Sequence, residues 1–238
     1  MAQSNGSPCN AAEIKVLGSA GVRGPLNDLG RQFEAASGHK LNTEYEVTAV
    51  LKRKIDVGEM FDVAILNPEL IDELIRLGKI AADSRADVGR TGLAVAVRKG
   101  APKPDISSVE AFKRTMLNAS SVAHSKEGLS GVGFLAALAR LGIVEQMRPK
   151  LKAYDTDGSV PAVASGEAEL VVIAIGSVLA APAVELVGML PAEVQTFVYF
   201  TAGAGAITKE PQAARSLIQF VTSPAAAPVM RAKGLEPH

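Results

Sequence analysis

The stretch Glu13–Leu29, EIKVLGSAGVRGPLNDL, constrains the fold more than any other part of the chain. It opens with Ile14, Val16 and Leu17, a short apolar run that reads as a buried strand. Four small residues follow, Gly18, Ser19, Ala20 and Gly21. Val22, Leu26, Leu29 and Phe33 then recur at helical spacing. A strand that feeds a helix through so small a turn leaves unpaired N–H groups at the helix start. Those groups and the helix dipole attract an anion. Ser19 adds a hydroxyl, and Arg23 falls in the first helical turn. A cation there is electrostatically disfavoured unless an anion lies beside it. The same residues also fit a plain βα turn with a surface arginine, and that reading stays open.

The rest of the chain repeats the alternation. Leu41–Val47 reads as a second strand, with Leu41, Thr43, Tyr45 and Val47 on one face. Thr48 stands where a cap would begin a helix over 50–58. Phe61–Leu66 reads as a third strand, and Asn67–Pro68 starts a helix that Gly78 ends. Three βα units in succession imply a parallel sheet with right-handed crossovers. The strand Thr91–Val97 leads into the polar, Pro-rich 98–104, which reads as a boundary.

A second set of units follows. Ser107 and Glu110 form a capping-box pattern, and Ser120–His124 reads as a strand. A loop at 126–133 precedes a helix over 132–141. Leu151–Tyr154 is a strand, and Asp157, Gly158 and Ser159 precede a short helix. The apolar stretch 170–190 resembles a membrane span, but Gly176, Ser177, Pro182 and Glu185 break it below the ~20 residues a span requires. It reads as strand, helical turn and strand. Thr196–Phe200 and Ala204–Thr208 read as strands, followed by helices from Pro211 and from Ser223–Pro224.

Composition narrows the function classes. Lys+Arg and Asp+Glu each total 25 of 238 residues, so the chain lacks the basic balance of a nucleic-acid binder. It has no Trp, which leaves few platforms for stacking bases or sugars. Cys9 is the single cysteine and the three histidines form no ligand-spaced pair, so neither a metal site nor a cofactor is expected. Cys9 fits an exposed thiol or the remnant of a lipid-anchor site. The first thirteen residues have neither a basic nor an apolar region of an export signal. The chain is therefore expected to be cytoplasmic, or to begin near the mature end of a periplasmic protein.

In α/β folds ligands bind at the carboxyl ends of strands. Those ends carry Ser19, Thr48, Ser125, Ser130 and Ser159, hydroxyls suited to an oxyanion or a small carboxylate. Each also fits a simple helix cap.

Residues 13–78 resemble the first lobe of molybdate-type periplasmic solute-binding proteins, a type II binding-protein family. The likeness lies in IKVLGSAG with its helix, in FEAASG at 33–38, in Thr48 before a helix, and in FDVAI at 61–65. It continues through SSVAHS at 120–125, Ser130–Gly131 and SGEAEL at 165–170, and so covers nearly the whole chain. The resemblance implies an α/β, two-lobed type II fold, each lobe a mixed sheet flanked by helices, joined by two crossover strands. Lobe one would be 13–94 plus 201–238, and lobe two 95–200. A small anion would bind in the cleft, and an ABC transporter permease would be the partner of a monomeric receptor. By the family pattern site positions fall on Thr48, Ser130 and Gly158, and Ser19, Ala20, Gly21, Arg23 and Ser125 complete the expected ligand-binding set. The family's first-turn serine falls on Gly21, and its cleft tyrosine on Ala174 or Ile175. Arg23 and His124 are additions that favour a carboxylate.

A narrower resemblance lies in GAPKPDISSVEAFKRTML at 100–117 together with SSVAHS. These look like a branch of the fold that includes aconitate isomerase. That resemblance implies proton transfer in an unsaturated carboxylic acid, which needs a base beside the carbon acid. His124, and second Glu46, are the candidate bases. Binding protein and isomerase both stand at this point, because one fold hosts both.

Overall fold

The computed structural model describes residues 11–155 and 157–238; Cys9 lies outside them. The first sheet is built from β1 (Glu13–Ser19), β2 (Lys40–Glu46) and β3 (Val63–Leu66), with α1 (Arg23–Ser37), α2 (Thr48–Asp56) and α3 (Pro68–Arg76) between and after them. β4 (Ala86–Arg98) then leaves for the second sheet. There follow α4 (Val109–Asn118), β5 (Val122–Ser125), α5 (Leu129–Arg140), α6 (Val144–Met147), β6 (Leu151–Tyr154), α7 (Ser159–Ala164), β7 (Leu170–Ala174), α8 (Ile175–Leu179) and β8 (Val184–Met189). β9 (Phe197–Ala204) returns, and α9 (Pro211–Val221), α10 (Ala227–Ala232) and β10 (Glu236–Pro237) end the chain.

The two sheets repeat one plan. In the first, β1 lies between β2 and β3, all parallel, and β9 joins antiparallel beside β3. In the second, β5 lies between β6 and β7, all parallel, and β4 joins antiparallel beside β7. The two lobes are linked by the crossover strands β4 and β9, which pair antiparallel with each other. β4 serves both sheets: Ala86–Gly92 pair with β9, and Leu93–Val97 pair with β7. The hydrogen-bonded path therefore runs unbroken from β2 to β6, with its partners changing at Gly92 and Leu93. Gln195, in the return link, grips this changeover. Its amide oxygen accepts from the Leu93 N–H at 2.9 Å, and its Nε2 donates to the Leu93 carbonyl at 3.0 Å.

Apolar burial follows the same division. On β1, Ile14 and Val16 face one core and Leu17 the other, while Lys15, on the Leu17 face, is only partly buried. Leu26, Leu29 and Phe33 of α1 cover one face of the first sheet, and Leu51, Ile55 and Leu70 of α2 and α3 cover the other. In the second lobe Phe134 and Leu138 of α5 lie on one face, with Ala162, Val163 and Val178 of α7 and α8 on the other. Phe134 is completely buried. Truncating such a side chain costs about 3–5 kcal/mol.

Several local expectations shift. Thr48 is the first residue of α2 rather than its cap, because extended Val47 holds the cap position. Ser108 caps α4, accepting from the Ala111 N–H at 3.1 Å. Ser107 lies one residue outside the cap position, where its hydroxyl donates to Asp105 at 2.7 Å, and Glu110 then stands too early for a capping box. The helix expected from Val132 starts at Leu129, which moves Ser130 from a loop into the helix. The strand read at 196–200 extends to Ala204 as β9, and the separate strand expected over 204–208 is not formed, since turn follows from Ala206. The stretch 170–190 is β7, α8 and β8, as its sequence suggests, and no helix among the described residues is long and apolar enough to cross a membrane.

Candidate functional site

In each sheet the first strand has neighbours on both sides, so the chain leaves it in opposite directions on successive crossovers. Such a switch opens a crevice at the carboxyl end of that strand. β1 ends at Ser19 and β5 at Ser125, and one cavity of about 600 Å³, counted to its open mouth, lies between those two ends.

Seven hydroxyl residues line it: Ser19, Thr48, Thr91, Ser125, Ser130, Ser159 and Ser177. Ser19 Oγ and Thr48 Oγ1 lie 2.7 Å apart and share one hydrogen bond, which leaves the pair a second hydroxyl proton to aim elsewhere. Ser125 Oγ accepts from the Gly128 N–H at 3.0 Å and keeps its own proton to donate. Thr91 has already given its proton to the Gly234 carbonyl, at 2.9 Å. Val47, Leu129, Ile173, Ala174, Val198 and Phe200 supply the apolar wall.

No Lys or Arg is among the lining residues. Positive potential comes instead from helix starts. Thr48 begins α2, Ser130 is the second residue of α5, and Ala20–Gly21 form the 3₁₀ turn that leads into α1. Early N–H groups of a helix have no partner within it, and the dipole favours an anion beside them. Two carboxylates, Asp155 and Asp157, stand at the rim, with side chains 84% and 58% exposed.

Of the residues expected in the site, Ser19, Ala20, Gly21, Thr48, Ser125 and Ser130 line this cavity. Arg23 does not; it lines an adjoining outer chamber of about 890 Å³, which shares Ala20, Gly21, Asp157, Ser159, Ile173 and Ser177 with the inner one. There Arg23 Nη1 donates to Asp157 Oδ2 at 2.6 Å, a bond between the lobes. Its guanidinium lies 5.4 Å from the centre of the Tyr45 ring. Tyr45 donates to Asn27 Oδ1 at 2.9 Å. Burial pushes the Tyr45 hydroxyl up to about 12, and the Arg23 charge opposes that rise.

Gly158 lines neither chamber, and its N–H is bound to the Asp155 carbonyl at 3.1 Å. His124 is absent from both chambers. Strand alternation places it with Val122 on the core face, 5.9 Å from the Phe134 ring, and its Nδ1 lies 2.9 Å from the Ser125 carbonyl. Glu46 ends β2 in register with Ser19, yet lines an outer groove beside Arg53 and Glu127. Neither candidate base therefore lines the cavity.

Ser177, Asp155 and Asp157 are lining residues that sequence reasoning missed. They follow β7 and β6, so the strand-end rule that selected the serines applied to them equally. Phe200 gives no such signal, since its ring enters the cavity from β9 in mid-strand.

The sequence profile of the family described as bacterial extracellular solute-binding protein matches residues 14–236. The chain is 32% identical over 230 residues to an aconitate isomerase from Pseudomonas sp, covering 94% of this chain and 87% of that one. It is 28% identical over 237 residues to the molybdate-binding protein ModA of Azotobacter vinelandii, covering 94% and 90%. Among solved structures, the periplasmic molybdate-binding protein of Azotobacter vinelandii superposes with a TM-score of 0.79 at 20% identity, over 93% of this chain and 98% of that one.

Proposed function

The chain belongs to the bacterial extracellular solute-binding protein family, and from that premise we propose that it is a receptor holding one small anion between its lobes. The carrying observation is the inner cavity: hydroxyls from both lobes, the starts of α2 and α5 and the turn before α1 meet there with no lysine or arginine in the lining. Neutral donors of this kind suit an oxyanion or a carboxylate. The lobe boundaries that serve the reading are 13–94 plus 201–238 and 95–200. The apolar cores divide between Val88 and Leu93 and again between Val194 and Val198, so each core changes a few residues before the corresponding boundary. A periplasmic monomer that delivers its anion to an ABC transporter permease is the setting that family membership favours. Calorimetric titration with molybdate, sulfate and a series of organic acids tests the reading. Binding of one class at micromolar concentration or below is expected, and no binding of any anion would overturn it.

A second reading, proton transfer on an aconitate-like acid, is favoured by the 32% identity to aconitate isomerase. Because Asp155 and Asp157 line the cavity and His124 and Glu46 do not, that reading assigns the acid–base role to the two aspartates. Following the absorbance of cis- and trans-aconitate with the protein decides between the two. A receptor leaves both isomers unchanged, whereas interconversion abolished by Asp155→Asn or Asp157→Asn would establish the enzyme.

A further inference from the structure

The outer chamber differs from the inner one in holding a cation, and that cation is already engaged by a carboxylate of the opposite lobe. Arg23 opens α1, a position that disfavours positive charge unless an anion accompanies it. The accompanying anion is Asp157, 134 residues away along the chain. The arginine is held in place by the Tyr45 face, and Tyr45 is held in turn by Asn27. Asp157 adopts φ +65, a left-handed conformation that aspartate tolerates better than most non-glycine residues. Its carboxylate stands where the two chambers join, since Asp157 lines both.

We propose that the outer chamber is a second anion subsite and that Asp157 is an internal stand-in for a ligand carboxylate, occupying Arg23 until a ligand with two or more carboxylates displaces it. The proposal rests on the reading of the cleft as an anion site. A single oxyanion fills the inner cavity and leaves the Arg23–Asp157 pair intact. A longer polycarboxylate places one acid group against the helix starts and a second on Arg23, whose planar fork grips two oxygens at once. Asp157 thereby sets a preference: it opposes polycarboxylates by competing for the arginine, and it does not compete for the inner donors.

The test is calorimetric titration of wild type, Asp157→Asn, Arg23→Ala and the double variant, using molybdate as the inner probe and succinate and citrate as the two-chamber probes. The readout is the ratio of the citrate or succinate affinity to the molybdate affinity; for succinate and molybdate, both dianions at neutral pH, it largely cancels the general effect of removing a negative charge near an anion. Asp157→Asn is expected to raise this ratio about two- to fivefold, the scale of a largely exposed ion pair. Arg23→Ala is expected to lower it about 10- to 100-fold. In the Arg23→Ala background, Asp157→Asn should change nothing further. A ratio unmoved or lowered by Asp157→Asn, an effect that persists without Arg23, or binding of molybdate with no binding of either polycarboxylate would each overturn the subsite while leaving the cleft reading standing. Failure of all three probes to bind wild type would overturn the cleft reading and the subsite with it.

Discussion

The two strand–turn–helix joints that face each other across the cavity, β1 to α1 and β5 to α5, solve the same problem with different supports. Both end a strand on a buried serine, Ser19 at 3% and Ser125 at 8% exposure. In the first joint the glycines make room for side chains brought by other elements. A methyl on Gly18 would meet the Tyr45 ring at 3.1 Å, and one on Gly21 would meet the tip of the Phe200 ring at 2.6 Å. In the second joint the glycines make room for the joint itself. A methyl on Gly131 would lie 1.8 Å from the Ser125 carbonyl oxygen, and one on Gly128 would lie 2.4 Å from Ser125 Oγ. The serines follow suit: Ser19 shares its hydrogen bond with Thr48 of the next unit, whereas Ser125 bonds back to Gly128 of its own turn. The first joint is therefore adjustable by its neighbours, and the second is rigid on its own.

Gly131→Ala gives the largest effect expected from this contrast. Its new methyl meets backbone that has no rotamer to escape into, so unfolding free energy should fall by about 3 kcal/mol, the upper end for overpacking. Denaturant unfolding would measure it, and an unchanged midpoint would show that the second joint is not rigid. Gly21→Ala meets only a ring tip and should cost about 1–2 kcal/mol. Combining it with Phe200→Leu should recover part of that loss, because contacting residues are not additive. Strict additivity would show that Phe200 does not shape the first joint.

The serines separate stability from binding. Ser125→Ala leaves the buried Gly128 N–H without its acceptor and should cost about 1–3 kcal/mol of stability. Ser19→Ala should cost about 0.5–1.5 kcal/mol, felt mainly in anion affinity, since the Thr48 hydroxyl is then free to turn to the cavity. Equal stability losses in the two variants would erase the distinction between the joints.

The smallest effect is alkaline. Tyr45 of the first lobe is raised from 10.0 to about 12 chiefly by burial, and Tyr154 of the second to about 12 chiefly by its hydrogen bond to Glu167. A folded value above the unfolded one means that the unfolded chain releases its proton first. The stability from each tyrosine is thus complete below pH 10 and is lost as pH rises towards 12. Tyr45→Phe should flatten the decline by one tyrosine's share and Tyr154→Phe by the other's, read from unfolding midpoints across that window. No change in slope with Tyr45→Phe would place that hydroxyl in solvent.

The alternation of strands and helices, the full burial of β3, and the clustering of hydroxyls after strand ends are written in local sequence. Periodicity and small turn residues act over a few positions, and each acts whatever the rest of the chain does. Those same cues misplaced the cap of α4 by one residue, since Ser107 and Ser108 are chemically alike and only Ser108 accepts from the Ala111 N–H. Which strand-end residues face the cavity is another matter. His124 and Ser125 are neighbours in sequence with equal claims, and the pleat sends one to Phe134 and the other to the cleft. Arg23 reads as the heart of an anion site, yet only the approach of the second lobe sets Asp157 against it. Local sequence determined the elements, since their stability rests on near neighbours. The tertiary structure alone decided the site, because charge pairing and cavity walls depend on atoms far apart in the chain, which only the packed lobes bring within reach.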